Sequence, residues 1–169
     1  MSVNEELEFY TKNAEIFNCY SFALGSRDFE DGWGMPGFIS RYNWGFYDDY
    51  ISKENINNAI IADGAIFAGQ ANVPEQREGY YIIAAVVAPK DDFHFYRQME
   101  DGSWWHDIGH GAPINVDASG NAIENPHLAD RHYTYADYNQ FVGYYYIPNT
   151  GLDVDKFTRE ELEKFPKPT

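Results

Sequence analysis

One cysteine, Cys19, and five histidines, His94, His106, His110, His127 and His132, are the side chains of this sequence that could pair a nucleophile with a base. Thiol catalysis needs an imidazole within hydrogen-bond reach of the sulfur, and a third polar group to orient that imidazole. The bland alternative is packing, because a free cysteine is among the side chains most often buried in a core. A single thiol excludes an internal disulfide and a cysteine-built metal cage. His94 follows the acidic pair Asp91-Asp92 and opens an otherwise aromatic run, which makes it the base favoured by position. His106 lies twelve positions later, His110 sits between two glycines, and His127 and His132 fall in polar loops. His94, His106 and a carboxylate could hold zinc, but no HExxH-type spacing occurs. Asp117 to Glu124 offers oxygen donors around a glycine without the alternating acids of an EF-hand loop, so it reads as a solvated turn. Neither a metal nor a cofactor is expected.

The elements that would position these groups follow from the pattern. Residues 4–24 carry apolar side chains at mixed three- and four-residue steps, predicting two short helices broken near Asn18. Asn18 is a good N-cap, which places Cys19 in the first turn of a helix running to about Leu24 and ended by Gly25. There the sulfur would feel the positive end of the helix dipole, and the same turn would offer N–H groups to an oxyanion. Residues 26–50 read as an irregular loop, and Ser52 caps a helix stopped by Asp63-Gly64. Tyr80 to Val87 is an uninterrupted apolar run and a central strand. Phe93 to Gln98, a turn at Asp101-Gly102 and a return over Ser103 to Asp107 form a hairpin. A second hairpin is expected around Asp117 to Asn121, a strand over Phe141 to Ile147, and a terminal helix from Thr158. Helices first and an antiparallel meander after them make an α+β plan. No repeat or linker divides the chain, so residues 1–169 read as one domain.

A cysteine opening a helix as Asn18-Cys19-Tyr20-Ser21-Phe22 resembles the NlpC-type, papain-like cell-wall peptidases, whose motif there is Asp-Cys-Ser-Gly-Phe. Those enzymes set a histidine at the start of a β-hairpin and a second one twelve residues later, as His94 and His106 stand across Asp101-Gly102. The sequence departs from the pattern at Asn18 and at Tyr20-Ser21, and its long Cys-to-His interval makes 26–78 an insertion or lid. The resemblance implies a papain-like fold with Cys19 as nucleophile, His94 as general base and acid, and His106 as orienting member. It further implies a cysteine peptidase or amidase that cleaves a peptide or isopeptide amide through a Cys19 thioester, with bacterial cell-wall peptide as the substrate class. A two-residue turn at Asp101-Gly102 would set His94 opposite Gly109 and leave His106 on the other face. A three-residue loop or a bulge restores the parity, so His106, Asp107, Asp117 and an asparagine from elsewhere all stay open as the third member.

The composition narrows the partners. Twelve Lys+Arg against 27 Asp+Glu give a net charge of −15, a surface that repels phosphates and anionic lipid. Nucleic acid and membrane are therefore not expected; the resemblance implies a peptide or peptidoglycan-fragment substrate, and a protein partner stays open. The N-terminus MSVNEELEFY has neither a basic n-region nor an apolar stretch, so a cytoplasmic protein or one secreted without a standard signal peptide is expected, and the resemblance implies a bacterial setting, a toxin or effector included. The alternative reading is a non-enzymatic acidic interaction module, or an inactive member of the same fold. Aromatics at 18% fit strands and a cleft, and of the neighbours Trp104 and Trp105 one must point away from the core.

Overall fold

A computed structural model describes residues 2–27, 34–37, 39–40, 42, 48–109 and 111–153. Ser2 opens α1 (Val3–Lys12) with a reciprocal capping box to Glu5. Asn18 caps α2 (Cys19–Ala23), its Oδ1 accepting the Ser21 N–H at 2.9 Å, and Gly25 at φ +65° follows the Leu24 C-cap. Ser52 caps α3 (Lys53–Ala62), which ends at Asp63 and Gly64. These helices stand where the sequence places them. The terminal helix expected from Thr158 lies outside the described residues.

The strands are β1 (Ile66–Gly69), β2 (Tyr80–Ala88), β3 (Asp92–Gln98), β4 (Trp104–Trp105) and β5 (Gln140–Pro148). They form one antiparallel sheet in the order β1-β5-β2-β3-β4, so the fold is α+β. This corrects the expected meander: β5 returns from the end of the chain and inserts between β1 and β2. The reason lies in β2, which needs a long apolar neighbour on each side, and β5 is the other nine-residue apolar strand. The 26–78 segment supplies α3 and β1, both of which pack on β5.

Side-chain alternation divides the core in two. Ile83, Ala85 and Val87 of β2 and Phe95 of β3 face α2 and α3, in a cluster that includes Cys19, Tyr20 and Ile60. Ile82, Ala84 and Val86 of β2 and Tyr96 of β3 face the other way, against Trp104, Ile123, Ala136, Tyr138 and Tyr144. Both faces of β2 are buried, which explains its unbroken apolar run. Of the tryptophan pair, Trp104 enters this second cluster, while Trp105 packs beside Tyr10, Phe17 and Phe22.

The end of β5 is tied to the end of α2. The Leu152 N–H donates to the Leu24 carbonyl at 2.8 Å, and the backbone passes so close that a Cβ on Gly151 would lie 2.7 Å from the Gly25 oxygen. Gly151 also sits at φ +74°. Gly151→Ala should therefore cost about 2 kcal/mol or more, from left-handed strain added to a backbone clash. Urea unfolding monitored by tryptophan fluorescence checks this; an unchanged midpoint would refute the close tie.

Candidate functional site

The imidazole pair is assembled by the turn chemistry of one hairpin. Met99 N–H donates to Ser103 O at 2.8 Å, Gly102 takes φ +87°, and Gln98 faces Trp104 across the ladder. The loop thus has an odd number of residues, so His106 falls on the same face as His94 and Tyr96, not the opposite one. His94 and His106 are diagonal neighbours on that face, within reach of two rings. His94 Nε2 lies 2.7 Å from His106 Nδ1.

A carbonyl fixes the direction of this bond. His106 Nε2 is 2.7 Å from the Val116 oxygen, which can only accept, so Nε2 carries the His106 proton. Nδ1 of a neutral His106 is then an acceptor, His94 Nε2 donates to it, and His94 Nδ1 is left with a bare lone pair. Neutrality fits the surroundings. Burial, and then the neighbouring His106, push His94 well below the ordinary histidine value, and burial lowers His106 as well. The pair is held between aromatic rings, with Tyr138 tilted on His94 at 5.4 Å and Tyr96 4.8 Å from His106. The Tyr138 hydroxyl donates to Asp92 at 2.6 Å.

Cys19 reaches the same strand from the other side. It is 9% exposed, and hydrogen bonding from the Phe95 and Tyr20 backbone draws its pKa down. Burial, followed by the charges of Asp92 and Asp107, outweighs that effect and raises the thiol well above its ordinary value. The expectation of a sulfur ionised by the helix dipole is corrected here. A terminal dipole contributes roughly 0.3–1 kcal/mol, less than one pKa unit, whereas full burial shifts a group by up to about 3–5 units. Among the described residues no hydrogen bond joins the thiol to the His94 ring.

The remaining candidates separate clearly. Asp107 is fully buried, neither carboxylate oxygen has a hydrogen-bond partner, and burial alone raises its pKa to about 8. Asp117 closes its own turn by accepting from the Ser119, Asn121 and Asp130 N–H groups. Neither bonds to His94, so of the alternatives His106 is the partner that the geometry supplies. His127 packs on Phe141, exposed His132 lies 3.3 Å from Asp137, and His110 lies outside the described residues. Sequence reasoning missed the flanking rings Tyr96 and Tyr138. The alternation of β3 places Tyr96 beside His94, but no local pattern marks Tyr138, which arrives from a distant loop. The arrangement can hold a neutral thiol and a neutral, directionally set imidazole pair in a dry setting.

No family model and no solved structure matches the chain. A curated relative does. Insoluble matrix shell protein 1 of Ruditapes philippinarum is 43% identical over 127 residues, 75% of this chain and 76% of the relative. That finding overturns three expectations. A relative in the insoluble shell matrix points away from a cysteine peptidase or amidase, and with it go the thiol-protease, peptidoglycan and toxin assignments. It is a mollusc protein, so the bacterial setting falls as well. The physical reason for the error is that cysteine and histidine at these spacings are equally compatible with a buried, unionised site.

Two measurements test the site as described. Iodoacetamide should label Cys19 in the folded protein more slowly than free cysteine at neutral pH and catch up only after denaturation, because the thiolate is the reactive form. The second concerns Asp107. Its carboxyl ionises at about 8 in the fold against about 3.9 in an unfolded chain, so stability drains away as pH rises toward 8. The buried histidines act oppositely and withdraw stability as pH falls below about 6.5. Asp107→Asn should keep its urea midpoint between about pH 6 and about pH 8, where the parent chain declines.

Proposed function

The chain belongs to the family of insoluble matrix shell protein 1, and on that premise we propose that it is a non-catalytic, acidic component of an extracellular matrix. The single observation that carries this reading is 43% identity across three quarters of both chains. The sequence supports it with a net charge of −15, which draws cationic surfaces and basic partners and repels anionic ones. The site supports it too, since a buried neutral thiol on one side of β3 and two neutral imidazoles on the other suit packing. A five-residue helix carrying Cys19 against β3, with His94 on that strand paired to His106 across the hairpin, favours a papain-like scaffold put to structural use. On this reading the protein works through its surface, and the partner is a cationic mineral or a basic matrix polymer.

Calcium carbonate particles serve as a solid cationic surface. The purified chain should co-sediment with them, and release should follow as salt rises from about 0.15 M to about 1 M, where the Debye length falls from about 8 Å to about 3 Å. Cys19→Ala should bind as the parent does. Incubation with peptides and peptidoglycan fragments, read by mass spectrometry, should give no product. Product that disappears with Cys19→Ala would overturn the proposal, and so would absence of binding to the particles.

A further inference from the structure

The loop after Glu124 is fixed from several sides. Asn125 turns the chain: its Oδ1 accepts the His127 N–H at 3.0 Å and the Tyr144 hydroxyl, and its carbonyl accepts the Leu128 and Ala129 N–H groups, each at 3.0 Å. Arg131 staples the loop by donating to the Pro126, His127 and Tyr138 carbonyls at 2.8, 2.7 and 2.9 Å. This frame presents Leu128, which is 78% exposed, more than any other large apolar side chain among the described residues. A lone exposed leucine is ordinary, but one carried on a preordered loop loses little backbone freedom when it docks.

A hollow of matching character lies on the opposite face of the sheet. Ile61 at the end of α3 and Phe67 of β1, 42% and 47% exposed, wall a groove of about 540 Å³ whose lining includes buried Val142 of β5. Phe67 is seated by an edge-on contact with Tyr145 at 5.7 Å and by the missing side chain of Gly143, where a Cβ would stand 2.9 Å from the ring. Val142 and Tyr145 belong to the cluster under α2 and α3. The Leu128 loop rests instead on Phe141 and Tyr144 of the other cluster. Lys53 and Glu54 put one charge of each sign on the groove wall.

We propose that the groove receives Leu128 of a second copy of this chain. Every copy carries both an apolar side chain on a fixed loop and an apolar hollow to take it. The balanced wall matters, because a chain of net charge −15 can enter it without meeting further carboxylate excess. Since the two parts sit on opposite faces, the contact runs head to tail from one copy to the next and does not close on itself. One loop tip buries less than the roughly 1,200 Å² of a stable complex, so the contact is weak and reversible. It also strengthens with salt, which screens the repulsion between like-charged copies. Adsorption to a cationic surface weakens with salt, so the two proposals stand or fall separately.

Analytical ultracentrifugation of the intact chain, from about 10 μM to about 1 mM and at about 0.5 M salt, tests the contact. The mean mass should rise continuously with concentration and pass that of a dimer. Leu128→Gln and Ile61→Gln, both at exposed positions and neutral in charge, should each weaken association about tenfold or more while leaving the urea midpoint unchanged. Ile114→Gln, an exposed apolar position away from both parts, should assemble as the parent does. An equimolar mixture of Leu128→Gln and Ile61→Gln should recover the parent's affinity and stop at one-to-one pairs, since one keeps the groove and the other keeps the leucine. A parent that stays monomeric or halts at a dimer would overturn the proposal. So would equal weakening by Ile114→Gln, or a mixture that associates no better than its components.

Discussion

The Val116 carbonyl sets the polarity of everything around His94. Because that oxygen accepts the His106 proton, every ring nitrogen of the neutral pair has its role decided, and the chain of bonds runs from loop to β4 side to β3. The pair ties the irregular stretch after Trp105 to the edge of the sheet, which β4 reaches over only two residues. It does so without charge. A buried ion pair in the same place would carry a desolvation penalty of several kcal/mol per ion, whereas two neutral imidazoles and a carbonyl satisfy each other.

The same dryness governs Cys19. A short helix delivers the sulfur to the Phe95 backbone, but the packing that seats α2 against the sheet removes the water that a thiolate needs. Position and protonation are thus set by one cause and pull in opposite directions. The closer the helix packs, the better the sulfur is placed, and the less it ionises. Asp107 obeys the same rule with no partner to offset it, which is why its carboxyl stays neutral at pH 7.

How much of this could be read from the sequence depends on the range of the interactions. The caps at Ser52 and Asn18 are local hydrogen bonds three residues long, and both helices start where those residues predict. β2 and β3 follow from runs of apolar and aromatic side chains within one segment. β1 escaped because four residues, one of them a glycine, carry too little pattern, and its partner β5 lies far along the chain. Insertion of β5 beside β2 leaves no local trace either. The histidine pair was legible in kind but not in parity, since parity turned on whether Asp101-Gly102 or the wider Met99–Ser103 loop closed the hairpin. The state of the thiol was not legible at all. Residue type and spacing name a potential nucleophile, while only the packing around it decides whether the sulfur holds its proton.

Charge is distributed by the same separation of local from global. The net charge of −15 describes the field at a distance, where it selects partners by sign. At contact range the screening length is about 8 Å, and what a ligand meets is the immediate wall. Around Glu6 that wall carries both signs, because Glu6, Glu78 and Glu100 line it together with Arg27, Arg77 and Arg97. The distant field and the contact surface of one chain can therefore differ in sign from place to place.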